Sequence, residues 1–263
     1  MSDPRLIAAV ETLIAQHARP GHVPLIAIAG SQGSGKTTLA RAVAARTGAA
    51  HLSLDDVYLT HAERQVLART VHPLFATRGP PGTHDLALLH RVIAALSAAG
   101  PDDRTPLPVF DKLADDRLPP EAWPVFTGRP VAILLDGWCL GASPQDAAAL
   151  AAPVNALERN RDADGRWRRA VNDRLAGPYR ALFARFDALL FLQAPGLDVV
   201  LDWRCEQEAG LMGLAPAGLP AARRARVAGF IEYFERITRS MIDGGVAADV
   251  VLGLSRARRV VAG

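Results

Sequence analysis

The nine residues "GSQGSGKTT", from Gly30 to Thr38, constrain the fold of this chain more than any other stretch. They overlap the end of the apolar run "PLIAIAG" (24–30), which is typical of a strand, and the start of "KTTLARAVAARTG" (36–48), which is typical of a helix. Gly30, Gly33 and Gly35 allow the backbone to turn tightly and to point its amide groups inward, at the positive end of the helix. The sequence therefore predicts an anion-binding loop between a buried strand and a helix.

This phosphate-binding loop (30–38) matches the pattern G-x-x-x-x-G-K-[ST], in which a lysine and a hydroxyl complete a nucleotide site. Lys36 is expected to reach the β- and γ-phosphates, and the Thr37 hydroxyl is expected to ligate Mg²⁺. ATP and Mg²⁺ are the cofactors that this arrangement implies. The residues expected to hold the nucleotide are Gly30, Ser31, Gln32, Gly33, Ser34, Gly35, Lys36, Thr37 and Thr38.

Four further apolar runs have the composition of buried strands, and helical patterns separate them. They are "HLSL" (51–54), "PVAILLDGW" (130–138), "FDALLFLQAP" (186–195) and "DVVLGL" (249–254). This alternation predicts an α/β fold with a doubly wound parallel sheet of about five strands and flanking helices.

Composition argues against several classes of protein. The formal charge of +3, with no dense basic run interleaved with aromatic residues, does not require a nucleic-acid partner. The sequence predicts no secretion signal and no membrane span, because it has no apolar stretch of roughly 18 residues or more. Cys139 and Cys205 lack CxxC spacing and are expected to be core thiols of a cytoplasmic protein.

Lysine is almost absent from the chain. Of the 30 basic residues, only Lys36 and Lys112 are lysines, and the other 28 are arginines. A compact ammonium is not interchangeable with a guanidinium fork, so each lysine retained against this bias is a candidate for a specific task.

Two strand ends supply carboxylates. Asp136 ends the strand "VAILLD" and is expected to face Mg²⁺ directly or through water. Asp55 and Asp56 end the second strand, in "SLDDVYLTHAER" (53–64), where they form either a functional pair or an Asx turn. Phosphoryl transfer to an alcohol needs a carboxylate near the hydroxyl, which makes Asp55 the candidate base and Asp56 a ligand of metal-bound water or of substrate. The sequence does not decide which acid faces the hydroxyl.

The stretch "TRGPPGTHD" (77–85) combines two prolines and two glycines with polar side chains. Its candidates for substrate contacts are Arg78, Thr83, His84 and Asp85, with helix capping as the alternative for Thr83 and Asp85. In "VFDKLADDR" (109–117), Lys112 and Arg117 form a cationic pair that suits an anionic substrate, with a surface ion pair as the alternative for Lys112.

Taken in order, these motifs resemble those of the plant-type D-glycerate 3-kinase family and its bacterial relatives, within the P-loop small-molecule kinases. The class also includes phosphoribulokinase, uridine kinase and pantothenate kinase. The similarity rests on "GSQGSGKTT", "SLDDVYLTHAER", "RGPPGTHD", "VFDKLADDR" and "LLDGWCLG". It continues through "VNALERNRDADGRWRRAVNDRL", "DWRCEQE" and "IEYFERITR", and so covers most of the chain.

The resemblance implies one P-loop NTPase domain over residues 1–263 that transfers the γ-phosphoryl group of ATP to a hydroxyl of D-glycerate, giving 3-phosphoglycerate. It assigns the base to Asp55 and makes Tyr58 a candidate wall of the acceptor pocket. It also implies a helical lid at 203–240, in which Arg204 is a candidate for stabilising the transferring group. The chain departs from similar sequences at Val57, where phenylalanine is common, and at Asp136, where glutamate is common.

Two other functions are compatible with these motifs. One is a sister kinase acting on a nucleoside, pantothenate or a sugar phosphate, and the other is a non-catalytic, regulatory ATP-binding protein. Few aromatics near "RGPPGTHD" argue against a stacked nucleobase, and the cations nearby favour a small anionic acceptor. A GTPase is disfavoured because an Asn-Lys-x-Asp motif needs a third lysine. No part of the sequence indicates the oligomeric state or a membrane partner.

Overall fold

Five parallel strands form the central sheet of the molecule, which a computed structural model describes for residues 3–261. Two short antiparallel pairs lie outside that sheet. The strands of the described range are Leu25–Gly30 (β1), Ala50–Ser53 (β2), Arg104–Pro106 (β3), Phe110–Asp111 (β4), Asp116–Arg117 (β5), Val125–Thr127 (β6), Ile133–Gly137 (β7), Ala188–Gln193 (β8) and Val250–Gly253 (β9).

Helices connect the strands of the central sheet. The α-helices of the described range are Pro4–His17 (α1), Lys36–Thr47 (α2), His61–Thr70 (α3), Leu86–Ala98 (α4), Ala156–Arg161 (α5), Arg166–Arg174 (α6), Arg180–Phe183 (α7), Leu197–Leu211 (α8) and Ala221–Ile242 (α9). A 3₁₀ turn at Leu54–Val57 follows β2, and a π-helical turn at Leu175–Tyr179 joins α6 to α7.

The central sheet has the order β2-β7-β1-β8-β9, and all its neighbouring strands run parallel. Every residue of β1 and β7 is buried, which is why these strands are continuous apolar runs and not alternating ones. The predicted α/β fold with a doubly wound parallel sheet is confirmed, including all five strands. The second strand ends at Ser53, so Asp55 and Asp56 lie in the 3₁₀ turn beyond it.

Two hydrophobic cores lie on opposite faces of the sheet, as the alternation along β1 shows. Ala27 and Ala29 belong to one core, which includes residues of α4, α6 and α9. Ile26 and Ile28 belong to the other, which includes residues of α1, α2 and α8. Because both faces of the sheet are covered by helices, the part of the sheet that a ligand can reach is the side formed by the carboxyl ends of its strands.

The predicted lid segment (203–240) consists of most of α8 and α9 with their connection. Cys205, Val227 and Ile231 form a small apolar cluster of their own between these helices. Phe234 and Ile237, further along α9, belong to a main core. The C-terminal half of α9 is thus anchored in the body of the protein, and closure of the remainder over a nucleotide stays a prediction.

Both cysteines, Cys139 and Cys205, are free and buried, in agreement with the expected core thiols. Within residues 3–261, none of the helices combines the length and the apolar character needed to cross a membrane.

A buried ion pair fixes the segment before α5 against α9. The guanidinium of Arg236 binds both carboxylate oxygens of Glu158, at 2.8 and 2.6 Å, and Glu158 is fully buried. The same guanidinium donates to the backbone carbonyls of Ala149 and Ala152, at 2.8 and 2.7 Å. One side chain therefore satisfies a buried charge and two carbonyls of an irregular segment at once.

Replacing Arg236 with leucine should destabilise the fold by about 3–5 kcal/mol, because the Glu158 carboxylate would stay buried without its counter-charge. Urea unfolding at pH 7 measures this loss. Arg46→Leu is the matched control, since Arg46 is exposed and makes a surface pair with Glu11 at 2.8 Å, and it should cost less than about 1 kcal/mol. Equal losses in the two variants would contradict a dominant role for the buried pair.

Candidate active site

The phosphate-binding loop leaves the carboxyl end of β1 and enters α2 at Lys36, as the sequence predicts. Gly33 and Gly35 have φ angles of +78° and +91°, in the left-handed region that favours glycine. A Cβ atom on Gly33 would also lie 2.5 Å from the Cβ of Trp203 in α8. The loop therefore has its tight conformation because its glycines permit both the turn and the close approach of a neighbouring helix.

Several polar atoms inside the loop are buried without a protein partner among the described residues. They are the hydroxyls of Ser31 and Ser34 and both amide atoms of the Gln32 side chain. Buried polar atoms are usually hydrogen-bonded, so a set of orphans in one loop indicates a missing ligand. Hydroxyl and amide donors next to a helix N-terminus suit the phosphate oxygens of a nucleotide.

The ammonium of Lys36 lies against this loop, with Nζ 3.4 Å from the carbonyl oxygen of Ser31. Removal from water lowers the pKa of Lys36, and the carboxylates of Asp136 and Asp55 act in the opposite direction. The lysine of the phosphate-binding loop is therefore held near two acids that come from the ends of two other strands. Phosphate oxygens would bring it further negative charge.

Thr37 and Asp136, the two predicted metal ligands, are in direct contact. The Thr37 hydroxyl donates to one oxygen of Asp136 at 2.7 Å, and Nε2 of His51 lies 2.7 Å from the other. Asp136 is only 1% exposed. A hydroxyl and a carboxylate are the hard oxygen donors that Mg²⁺ prefers, so these residues fit the expected cation.

Within residues 3–261, no group of three or more His, Cys, Asp or Glu side chains is arranged to hold a metal by itself. Sequence reasoning missed His51, which lies on β2 beside β7 and orients Asp136 by hydrogen bonding. The only signal in the sequence was its place in the predicted strand 51–54. That this strand lies beside β7, which carries Asp136, is seen in the structure.

Asp55 accepts two hydrogen bonds, one for each carboxylate oxygen. The Tyr58 hydroxyl donates to one oxygen at 2.8 Å, and Nζ of Lys112 donates to the other at 2.6 Å. Burial alone would raise the pKa of Asp55, but the charges of Lys112 and Lys36 together with these hydrogen bonds hold it well below its usual value. Asp55 is thus an ionised carboxylate on which both lysines of the chain act.

Asp56 has a different environment from its neighbour. Its carboxylate accepts a hydrogen bond from the backbone amide of Phe110 in β4 at 3.3 Å. Burial raises the pKa of Asp56, and the charge of Asp55 adds to that effect. The two adjacent acids therefore differ: Asp55 is paired with lysine, whereas Asp56 supports the hairpin that carries Lys112.

Several predicted substrate contacts are used inside the protein. The buried Thr83 hydroxyl accepts from the amide of Gly79 at 3.0 Å and donates to the carbonyl of Pro80 at 2.8 Å, which shapes the loop. Asp85 caps α4 through the amide of Leu88 at 2.8 Å and binds Arg117 at 3.2 Å. Thr83, Asp85 and Arg117 thus hold the loop in place, and the capping alternative is confirmed for Asp85.

The other two cations meet at the connection between β4 and β5, which contains Lys112 and whose Asp115 binds Arg78. Arg78 pairs with Asp115 and lies over the ring of Phe110, with 5.5 Å from its Cζ to the ring centroid. Lys112 is the more accessible cation, since its side chain is 57% exposed while it contacts Asp55. Lys112 therefore has room to meet a ligand.

His84 is buried, and its ring stacks on that of Tyr58 with 4.6 Å between centroids. Its Nδ1 is hydrogen-bonded to the Tyr179 hydroxyl, which accepts the amide hydrogen of Gly82 at 3.0 Å. In the tautomer that lets Tyr179 donate its hydroxyl hydrogen to Nδ1, the imidazole proton lies on Nε2. Burial lowers the pKa of His84 to about 3, so the ring is neutral, and its buried Nε2 has no partner among the described residues.

Tyr179, the hydrogen-bond partner of His84, was not predicted from the sequence. It belongs to the π-helical turn between α6 and α7, which contains Pro178. Such turns are frequent at functional sites. A proline within a helical pattern was the only signal in the sequence.

Arg204 lies on α8 but does not contact the phosphate-binding loop in this structure. Its guanidinium binds Gln207 at 3.4 Å and Glu208 at 3.5 Å, both on the same helix. The arginine that does reach the loop is Arg258, whose Nε donates to the carbonyl of Gly33 at 2.6 Å. No local pattern in the sequence distinguishes Arg258 from the other 27 arginines.

Comparison with known proteins places this geometry in a family. No protein-family model matches the chain. Over 208 residues, the chain is 32% identical to the uncharacterized kinase mug58 of Schizosaccharomyces pombe, covering 74% of this chain and 73% of that one.

Two solved structures have a similar fold over nearly the whole chain. D-glycerate 3-kinase from Cryptococcus neoformans superposes with a TM-score of 0.75 at 24% identity, covering 98% of this chain and 97% of that one. The YGR205w protein superposes with a TM-score of 0.70 at 22% identity, covering 98% and 96%. The chain therefore belongs to the same family of P-loop kinases as the Schizosaccharomyces pombe protein, and it has the fold of D-glycerate 3-kinase.

Proposed function

We propose that this kinase transfers the γ-phosphoryl group of ATP to a hydroxyl of D-glycerate, giving 3-phosphoglycerate. The observation that carries the proposal is the contact between Asp55 and Lys112, at 2.6 Å, close to the lysine of the phosphate-binding loop. A carboxylate and an ammonium side by side offer one partner for an acceptor hydroxyl and one for an acceptor carboxylate. A small hydroxy acid carries both groups.

ATP would occupy the phosphate-binding loop. The loop amides, the hydroxyls of Ser31 and Ser34 and the ammonium of Lys36 would bind its phosphates. Thr37 and Asp136 would hold Mg²⁺, which would neutralise negative charge on the phosphates. His51 keeps the Asp136 carboxylate in place, at 2.7 Å.

Asp55 would accept the hydrogen bond of the acceptor hydroxyl and orient its oxygen toward the γ-phosphorus. Its lowered pKa keeps it ionised and makes it a weak base before the reaction. That is sufficient in phosphoryl transfer, because the transition state is loose and the hydroxyl becomes acidic only as its bond to phosphorus forms. The proton then passes to the Asp55 carboxylate, which Tyr58 holds by its hydroxyl.

The acceptor carboxylate would replace Asp55 as a partner of Lys112. This exchange frees an oxygen of Asp55 for the hydroxyl and keeps the ammonium paired throughout. The buried Nε2–H of His84 is a further neutral donor on the same loop, next to Tyr58. A neutral nucleoside could not take over the Lys112 contact, so the arrangement favours an acid.

The remaining assignments extend this proposal. Arg204 would contact the transferring group only if its side chain left its present partners, Gln207 and Glu208. Arg78 would contribute positive potential beside the acceptor while staying paired with Asp115.

A kinase of a small organic acid is expected to act in the cytoplasm, where ATP is available and thiols such as those of Cys139 and Cys205 stay reduced.

The acceptor can be identified by coupled ADP release with D-glycerate, uridine, pantothenate and ribulose 5-phosphate at saturating Mg·ATP. D-glycerate should be the one efficient substrate, because it presents a carboxylate and a hydroxyl at short separation. Turnover on a different member of the panel would identify a sister kinase. ATP binding without turnover on any of them would support a regulatory protein.

Asp55→Asn should lower kcat by about 10²–10⁴-fold, because an amide cannot accept the hydroxyl proton. The affinity for ADP, measured by calorimetry, should stay within about threefold, which separates chemistry from nucleotide binding. Asp56→Asn is the matched control and should lower kcat by less than about tenfold. If the Asp56 variant showed the larger loss of kcat, the base would have to be reassigned to Asp56.

Lys112→Met should raise the KM for D-glycerate by about 10–100-fold and leave the KM for ATP within about threefold, because only the acceptor loses a charged partner. Removing this cation also raises the pKa of Asp55. Because Asp55 is active only in its ionised form, the acid limb of the pH profile of kcat should move to higher pH. Lys112→Arg keeps the charge, and its acid limb should stay close to that of the wild type. An unchanged KM for D-glycerate in the methionine variant would exclude Lys112 from acceptor binding.

A further inference from the structure

Arg258 connects three parts of the molecule beside the phosphate-binding loop. Its Nε donates to the backbone carbonyl of Gly33 at 2.6 Å, on the outer side of the loop. Its Nη2 binds the carboxylate of Glu206 in α8 at 2.6 Å, and its Cζ lies 5.1 Å from the ring centroid of Trp203. The guanidinium therefore bridges the turn after β9, the middle of α8 and the loop.

The backbone at Arg258 has an uncommon conformation. Its φ angle is +57°, in the left-handed region that a residue with a side chain rarely adopts. The turn is closed by the amide of Arg258 on the carbonyl of Ser255 and by the amide of Ser255 on the carbonyl of Arg259, both at 2.8 Å. Such conformations persist where the surroundings determine them, and here they aim the guanidinium at Gly33.

Fixing the Gly33 carbonyl also fixes the next amide of the loop. A trans peptide is planar, so its carbonyl oxygen and its N–H point in opposite directions. With the oxygen of Gly33 bound by Arg258, the N–H of Ser34 points in the opposite direction, where it donates to the carbonyl of Ser31 at 3.3 Å. This hydrogen bond is longer than the usual length of about 2.9–3.0 Å, so a phosphate oxygen in the loop would compete with the Ser31 carbonyl for the same N–H.

The contact with α8 reinforces this arrangement. Gly33 packs directly on Trp203, and the indole Nε1 of Trp203 donates to the carbonyl of Arg256 at 2.8 Å. The loop, α8 and the turn after β9 thus form one packed junction. Glu206 joins the same junction through Arg258, so a movement of α8 would act on the loop through this ion pair.

We propose that Arg258 is a positioning residue for the nucleotide phosphates, acting through the Gly33–Ser34 peptide and coupling the loop to α8. The proposal rests on the ATP use proposed above but not on the identity of the acceptor. Because the loop meets the phosphates before and during the reaction, a loss of Arg258 should weaken nucleotide binding more than it lowers kcat.

The test measures ADP affinity by calorimetry, and KM for ATP and kcat by coupled assay, in Arg258→Ala and Arg258→Lys. The alanine variant should raise the Kd for ADP and the KM for ATP about tenfold, with kcat within about threefold. Arg258→Lys should recover part of the affinity for ADP, because lysine keeps the positive charge but lacks the planar guanidinium that binds Gly33 and Glu206 through two different nitrogens. Glu206→Gln, which leaves the Gly33 contact in place, should show an intermediate loss.

Arg256→Ala is the matched control. Arg256 is an exposed arginine of the same turn that pairs with Asp198 and Asp202, and its side chain does not reach the loop. Its Kd for ADP should stay within about twofold of the wild type. The proposal is overturned if Arg258→Ala binds ADP like the wild type, if Arg256→Ala loses as much affinity, or if kcat falls while the Kd is unchanged.

Two measurements distinguish an effect of Arg258 on nucleotide binding from misfolding of the variants and from a wrong assignment of the acceptor. The melting temperature of each variant without nucleotide shows whether it folds, and Arg258→Lys and Glu206→Gln decide the question if Arg258→Ala does not fold. ADP binding by the wild type tests the nucleotide site independently of phosphoryl transfer. A wild type that binds ADP but does not phosphorylate D-glycerate would contradict the proposed acceptor and leave the Arg258 test valid, whereas a wild type that does not bind ADP would refute both.

Discussion

The ammonium of Lys36, taken out of water at the carboxyl edge of the sheet, is the constraint on which the rest of the site depends. Desolvating a charge is costly unless opposite charges lie close to it, and here Asp136 and Asp55 supply them. Asp136 lies at the carboxyl end of strand β7, and Asp55 lies in the 3₁₀ turn after β2. In the observed order β2-β7-β1, both strands lie on the same side of β1, which brings the two carboxylates to the lysine together.

The sequence predicts those parts of the fold that depend on residues close together in the chain. The five sheet strands are apolar runs, and the phosphate-binding loop is defined by its glycines and lysine. The same patterns could not sort ligand contacts from structural ones, because Asp85 is as suitable for a helix cap as for a substrate, and its partner Arg117 lies 32 positions away. Tyr179 and Arg258 were missed for the same reason, since each acts on a residue 95 or 225 positions distant.

The scarcity of lysine becomes meaningful in the structure. Both lysines of the chain lower the pKa of one carboxylate, that of Asp55. An arginine in place of Lys112 would offer a planar fork that suits a lasting bidentate pair with Asp55. A flexible, largely exposed ammonium can instead exchange one carboxylate for another. The retention of lysine at this position is therefore consistent with an ion pair that has to open during each catalytic cycle.

The hydrogen bonds around the phosphate-binding loop are distributed unequally between its two sides. On the outer side, the Gly33 carbonyl is satisfied by Arg258, and Gly33 is packed on Trp203. Seven buried side-chain atoms in residues 3–261 lack a protein partner; four lie in Ser31, Gln32 and Ser34, and a fifth is Nε2 of His84. Each such atom costs about 1–3 kcal/mol when left unpaired, so a ligand that satisfies them gains that energy on binding. The unpaired polar side-chain atoms are therefore concentrated in the loop that is expected to bind the nucleotide, while the Gly33 carbonyl of the same loop is held by Arg258.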